Sequence, residues 1–187
     1  METEEAIRTL YFLAGNMGAN LFRDAYFRQA TNYDKQPKDD QDGYFNQIIA
    51  SFLVMVKMLL QDFEKIQIDS ANIRLVEVGL YTGFIDYLKS HELAREGQKI
   101  WLKFLEAKER NVKIEIADYK KDALKDDKKT YDRVLDAPEK MILLGSVFEN
   151  LHYFCTKGRA LPRDQKFHNF ILQKHNEVFR ALKKLLA

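Results

Sequence analysis

The sequence predicts an all-α fold, a single-domain bundle of about six to seven helices that spans residues 1–187. Three observations favour it. Glycine and proline are sparse, with 8 and 3 residues in a chain of 187, whereas a β-rich fold needs frequent turns. Good helix formers are plentiful, and apolar residues recur at spacings of three and four along most of the chain. No repeat, low-complexity tract or linker divides the chain, which is long enough to bury roughly 70% of its unfolded surface.

The first helix is predicted from Thr3 to about residue 30. Thr3 can cap it, and Glu4 and Glu5 lie favourably at the positive end of the helix dipole. Its inward stripe is predicted to contain Ile7, Leu10, Ala14, Met17, Leu21 and Ala25. The polar stretch 31–43 contains Pro37 and has no apolar period, so it is predicted to be a loop.

The second helix is predicted between Phe45 and Ile66. Apolar residues cover nearly all of its faces from Ile48 to Leu60, so it is expected in the centre of the bundle. That window contains Lys57 and is shorter than the roughly 20 residues that span a bilayer, so no membrane span is predicted.

A third helix, capped by Asp69 or Ser70, is predicted to bury Ile73, Val76, Leu80, Phe84 and Leu88. Ser90 is predicted to cap a fourth helix, whose apolar patch contains Ile100, Trp101, Phe104 and Leu105.

The segment VKIEI at 112–116 alternates like a β-strand. However, helical spacing continues through Trp101, Leu105, Lys108, Val112, Ile116, Tyr119 and Ala123. A lone short strand would have no partner with which to form a sheet. A long helix is therefore predicted, with Asn111 as the position of a possible kink, and the charged run that follows is its solvated end or a loop.

Two further helices are predicted near the C-terminus. DAPE at 136–139 has the capping aspartate, first-turn proline and third-position glutamate of a helix start, and Lys157 and Gly158 are typical of a helix end. The buried stripe of this helix is predicted to contain Met141, Leu144, Phe148, Leu151 and Cys155. Pro162 opens the last helix, which is predicted to bury Phe167, Ile171, Val178, Leu182 and Leu185.

Charge and cysteine content favour a cytoplasmic protein. The formal net charge of +2 gives no global field that would attract nucleic acid or an anionic membrane, although the chain is locally basic from Lys157 onward. The single Cys155 cannot form an intrachain disulfide, which fits a reducing compartment. The acidic N-terminus lacks the pattern of a secretion signal.

Residues 163–168 (RDQKFH) resemble the R-x4-H motif of HEPN ribonucleases, which are all-helical. The resemblance implies that Arg163 stabilises the phosphorane-like charge and that His168 transfers protons while a ribose hydroxyl attacks, usually across a dimer interface and without metal. Positions five apart point about 140° from each other on a helix. The alternative is therefore that both are surface residues near a helix N-terminus.

Other motifs are incomplete. Glu149 and His152 form the i,i+3 pair of carboxylate-bridged di-iron bundles, but that site needs the pair twice, so no metal or cofactor is predicted. The basic last helix, with Phe167, Phe170 and Phe179, could contact a phosphate backbone, although the spacing of its phenylalanines favours core anchors. Cys155 is interpreted as a core thiol.

Residues 147–186 contain a Phe-Glu helix, a Lys-Gly stop, a Pro-Arg-Asp restart and a closing amphipathic helix. They are similar to a bacterial all-helical domain family of unknown function, whose members usually follow a membrane anchor. The resemblance covers about a fifth of the chain and implies no activity.

The leading hypothesis is a non-enzymatic helical protein that binds another protein or itself, with a homodimer as one form, as a bacterial or phage regulatory or accessory factor. It depends on the lack of a complete catalytic motif and on the apolar coverage of the second helix, which we expect to exceed what a small core can bury. The alternative is a metal-independent HEPN-like ribonuclease that uses Arg163 and His168.

Overall fold

The computed structural model describes residues 2–62, 70–91, 95–123, 139–147 and 165–186. These residues form seven α-helices and one short 3-10 helix and contain no strand, which confirms the predicted all-α class. The α-helices are α1 (Thr3–Arg23), α2 (Ala25–Ala30), α3 (Lys38–Asp62), α4 (Ser70–Ser90), α5 (Arg95–Ala123), α6 (139–147) and α7 (Gln165–Leu186). The 3-10 helix (Tyr33–Lys35) lies between α2 and α3.

Helix α3 is central, since it contacts α1, α4, α5 and α7. The bundle buries every residue of the stretch from Ile48 to Leu60 except Lys57, which is half-buried. The predicted central position is confirmed. The expectation that this apolar coverage exceeds the capacity of the core is wrong, because four neighbouring helices cover all the apolar side chains from Ile48 to Leu60.

The directions of α1, α3 and α4 follow from their contacts. The Phe22 and Phe45 rings lie 5.2 Å apart, which places the start of α3 beside the end of α1, so α3 runs antiparallel to α1. The Tyr11 and Tyr87 rings also lie 5.2 Å apart, and Ile7 lies against the preceding turns of α4. Helix α4 therefore runs parallel to α1.

The last helix runs alongside α3. Tyr26 and Phe170 bring the start of α7 to the α2 end of the bundle, with their rings 5.0 Å apart. Further along, the His175 ring lies 5.1 Å from that of Phe52 on α3. Helix α7 is therefore antiparallel to α1, and the end of α7 lies at the same end of the bundle as the starts of α1 and α4.

Among the described residues, α3 is the one helix long and apolar enough to cross a bilayer. The structure extends it well beyond the apolar window that the sequence predicted to be too short, so length does not decide the question. Burial is more informative, because 72% of the apolar window is buried inside the protein. This degree of burial fits the core helix of a soluble protein.

The predicted first helix is two helices. The backbone of Asp24 is extended, and its carboxylate accepts hydrogen bonds from the amides of Tyr26 at 2.9 Å and Phe27 at 3.2 Å. Asp24 thus caps α2, and the break shifts the helical register, so that Phe27 is buried and Ala25 is exposed. Thr3 does not cap α1, whose N-cap is Glu2 without a side-chain hydrogen bond.

The predicted loop 31–43 is shorter than expected. Helix α3 begins at Lys38, directly after Pro37, whose carbonyl accepts the amides of Asp40 and Gln41. Asp39 and Asp40 in the first turn are favourable at the positive end of the helix dipole. The stretch was predicted to be a loop because it is polar, contains Pro37 and has no apolar period, whereas proline is also common at helix starts.

The strand-like segment 112–116 is helical, as predicted, and lies inside the continuous helix α5. Ser90 does not open that helix. Its hydroxyl donates to the Tyr87 carbonyl at 2.7 Å, at the end of α4.

Besides Ala25, three more residues that were predicted to face the core are exposed by more than a third. They are Phe45, Ile100 and Leu185. Each lies within about a turn or two of a helix terminus, where neighbouring helices cover less of its surface. Residues 63–69, 124–138 and 148–164, with the helix ends predicted there, lie outside the described residues.

Candidate functional site

Most of the motif residues singled out from the sequence lie outside the described part of the chain. These are Arg163, Glu149, His152 and Cys155. His168 is described and is half-buried in the first turn of α7. The HEPN-like role of Arg163 and His168, which requires both side chains in one cleft, therefore stays a prediction. Within the described segments, no group of three or more His, Cys, Asp or Glu residues could hold a metal ion.

The phenylalanines of α7 are core anchors, as their spacing predicts. Phe167 is buried, and Phe170 and Phe179 pack partly buried against the core. Lysines cover the two half-buried rings: the Lys174 ammonium lies 5.5 Å from the Phe170 centroid, and that of Lys183 lies 4.7 Å from the Phe179 centroid. These rings are engaged within the protein, so they do not form an open surface for stacking bases.

A polar cluster lies inside the bundle, where α3, α5 and α7 meet. The Lys108 ammonium, on a residue only 2% exposed, donates to the Gln47 side-chain oxygen at 2.7 Å. His175 is 1% exposed, and its Nδ1 lies 2.9 Å from the Ile171 carbonyl oxygen, an accepting group. Ser51 is also fully buried. Buried polar groups are costly unless they are hydrogen-bonded, so this cluster constrains how the three helices pack.

Burial determines the charge of His175. Loss of water lowers the pKa of its imidazole to about 4, since the positive form is poorly solvated there. The bond to the Ile171 carbonyl favours the protonated form, and the nearby Lys108 charge opposes it. His175 is therefore neutral at physiological pH. It has no access to solvent, and we interpret the cluster as structural.

A second polar cluster joins α3, α4 and α5 nearer the surface. The Lys57 ammonium lies 3.2 Å from one Glu109 oxygen and 3.8 Å from Glu77. The Tyr81 hydroxyl donates to Glu109 at 3.1 Å, and the Lys57 ammonium lies 4.2 Å above the Tyr81 ring. Every charge in this cluster has a partner, so it too is best explained by helix packing.

The carboxyl of Glu109 remains charged despite its partial burial. Desolvation alone would raise its pKa, but the hydrogen bond from Lys113 and the ion pair with Lys57 outweigh burial and hold the pKa below its usual value. Burial next to this carboxylate raises the pKa of the Tyr81 hydroxyl. The phenol is therefore a hydrogen-bond donor and not a base.

A concave surface lies between α1 and α4, which are separated by very little side-chain volume. A Cβ on Gly79 would lie 2.5 Å from Ile7 Cδ1, and one on Gly83 would lie even closer to Ile7 Cγ2. The two glycines, one turn apart, allow α4 to approach α1 closely and leave a groove of about 540 Å³. Its lining residues are Glu2, Glu4, Glu5, Ile7, Arg8, Tyr11, Gly79, Thr82, Gly83 and Asp86.

We call this surface the α1/α4 groove. It is acidic, because four carboxylates and one guanidinium line it. All five charged side chains belong to exposed residues.

An apolar stripe adjoins the groove on the solvent side of α4. Leu75 is 58% exposed and Val78 is 63% exposed, and both point away from the buried stripe of the helix. Thr82, one turn further on, is exposed and also lines the groove. We call Leu75, Val78 and Thr82 the outer stripe. All three side chains are uncharged and face water, whereas the solvent face of a soluble helix usually contains charged or polar residues.

The sequence contains signals for several of these features. Lys108 and His175 each occupy a position in the apolar stripe of their helix, which is where a polar side chain becomes buried. Leu75 and Val78 fall outside the predicted stripe of α4, which indicates solvent exposure. The groove has no comparable signal, because it depends on which helix packs against the two glycines.

No profile of a known protein family matches the sequence, and neither a curated protein nor a solved structure matches it. The resemblances of residues 147–186 and 163–168 therefore stay predictions.

Proposed function

We propose that the protein is a non-enzymatic helical protein that acts through protein–protein contact, as a regulatory or accessory factor. The outer stripe of α4 carries this proposal. A leucine and a valine, one turn apart and each more than half exposed, place apolar area in water. A contact with another protein surface would remove this area from water and be stabilised by its burial.

The position of the outer stripe strengthens the proposal. Thr82 is shared by the outer stripe and the α1/α4 groove, so apolar and charged surfaces adjoin. Protein interfaces commonly combine an apolar centre with a polar rim. The buried part of α3 has no such role, since neighbouring helices already cover it.

The proposal is tested by the native size of the protein in extracts of the cells that produce it. We expect the wild-type chain to fractionate well above its own mass of 22.0 kDa. The double substitution Leu75→Lys with Val78→Lys should shift it to the size of a single chain, because two ammonium groups cannot enter an apolar contact without a high desolvation cost.

The control is Lys103→Glu, which changes another exposed position, on α5, and should leave the native size unchanged. Both variants alter exposed residues only, and circular dichroism can verify that each remains helical. A wild-type chain that fractionates at 22.0 kDa, or a complex indifferent to the Leu75 and Val78 substitutions, would refute the proposal.

A further inference from the structure

The carboxylates of the α1/α4 groove have no ion-pair partner among the described residues. Within the described part of the chain, Glu2, Glu4, Glu5 and Asp86 make no ion pair, and neither does Arg8. The groove therefore presents a net negative surface. Like-charged carboxylates close together repel one another, so a cationic occupant would relieve that repulsion.

The end of α7 has the opposite charge. Arg180, Lys183 and Lys184 are exposed, and none of them forms an ion pair with another described residue. The one acid among the described residues of α7, Glu177, is already paired with Lys174 at 3.3 Å. The last two turns of α7 therefore form a cationic surface, which we call the α7 basic end.

The two charged surfaces lie at the same end of the bundle. Helix α1 begins there, and α7, which runs antiparallel to α1, ends there. No ion pair joins the two within the described residues of one molecule. If two copies were related by a two-fold axis at this end, the α7 basic end of each copy would contact the groove of the other. The dimer would then be closed and would contain two identical contacts.

Apolar side chains accompany both charged surfaces. Leu185 is 40% exposed at the α7 basic end, although the sequence predicts it to face the core. Leu75 and Val78 lie on α4 beside the groove. Such residues would supply apolar area for an interface in which the charge pairs determine orientation and partner choice.

We infer that the α1/α4 groove receives the α7 basic end of a second copy of this chain, so that the protein forms a symmetric homodimer. This inference rests on the proposed function, because it names the partner of the α1/α4 surface. The two surfaces have opposite charge, and within the described part of the chain neither has an ion-pair partner. This complementarity within one chain favours a second copy over an unrelated protein.

The test is sedimentation equilibrium of the purified full chain at several concentrations. We expect wild type to reach twice the chain mass of 22.0 kDa. Reversal of the groove charges, Glu4→Lys with Glu5→Lys, should raise the dimer dissociation constant by about tenfold or more, and Arg180→Glu with Lys184→Glu should do the same. Both effects should weaken as salt increases.

Charge exchange distinguishes a specific contact from general repulsion. The two reversed variants, mixed in equal amounts, should form a heterodimer, since each altered surface then faces an altered partner surface. The four substitutions combined in one chain should restore the homodimer. Reversal of two exposed charges on α5, Lys103→Glu with Arg110→Glu, should leave the dissociation constant unchanged.

The inference is overturned by a monomeric wild-type chain, by a dimer that resists reversal of either surface, or by failure of both rescue combinations. A monomeric purified chain that still enters a larger complex through Leu75 and Val78 in cell extracts would overturn the homodimer alone. It would leave protein binding as the function.

Discussion

Two polar residues, Lys108 and His175, deviate most from the rule that apolar side chains fill the core. Each lies in the apolar stripe of its helix, and each is almost completely buried. Their positions could be predicted from the helical period, but their contacts could not. Lys108 lies beside Gln47 and near His175 because three helices pack together. The apolar period of a single helix does not specify that packing.

The buried histidine predicts a specific pH dependence of stability. The pKa of His175 is about 4 in the folded chain, against about 6.5 for an unfolded histidine. Between these values the unfolded state binds more protons, so the folded state loses stability as the pH falls from 6.5 to 4, by about 3 kcal/mol in total. Above pH 6.5 this effect vanishes.

Denaturant unfolding between pH 7 and pH 4 measures this effect. His175→Gln should lower the stability at pH 7 but reduce the further loss at pH 4 by about 3 kcal/mol relative to wild type. His91→Gln, at an exposed histidine after α4, should keep the wild-type pH slope. If NMR shows that the imidazole of His175 titrates near pH 6.5 in the folded protein, its burial as described here is incorrect.

At the scale of helices, apolar period predicted most elements, including a helix through the strand-like segment 112–116. The errors occur where a single side chain or proline changes the backbone path. Asp24 ends α1 because its carboxylate bonds the next amides, and α3 begins immediately after Pro37. Both residues can occur in loops and at helix starts, so composition alone does not distinguish these roles.

The close contact between α1 and α4 predicts opposite effects of two glycine substitutions. In a helix, alanine is favoured over glycine by about 1 kcal/mol. At Gly83 a new methyl group would overlap Ile7 Cγ2, which is fixed close to the backbone, and overpacking of this kind costs about 1 to 3 kcal/mol. Gly83→Ala should therefore destabilise the protein by about 1 kcal/mol net.

Gly15 provides the matched control, since a Cβ there meets nothing within 4 Å. Gly15→Ala should stabilise the protein by up to about 1 kcal/mol. Thermal or denaturant unfolding of the two variants measures both effects. Stabilisation by both substitutions would show that α1 and α4 do not pack as closely as described.

At the scale of the whole molecule, the distribution of surfaces is the property that the sequence predicts least well. The apolar excess was expected on α3, which contains the long apolar stretch from Ile48 to Leu60, but the bundle buries that stretch and exposes apolar residues on α4 instead. Leu75 and Val78 could have been identified as exposed, because they fall outside the predicted apolar stripe of α4. The α1/α4 groove could not, because the parallel packing of α1 and α4 is needed to bring their charges together.

The position of the charges at one end of the bundle also requires the fold. The acids of α1 and the bases of α7 lie at opposite ends of the sequence, and only the antiparallel course of α7 brings them to the same end. The protein contact that we propose at the α1 and α4 surface thus depends on topology together with local composition.

The most direct test of this account is photo-crosslinking in living cells from a photoreactive residue at position 82, where the outer stripe and the groove meet. We predict one discrete protein adduct, lost when Leu75 and Val78 are replaced by lysine, and no comparable adduct from position 103 on α5. An adduct pattern that is the same from both positions, or that persists after the lysine substitutions, would contradict the claim that this surface binds protein.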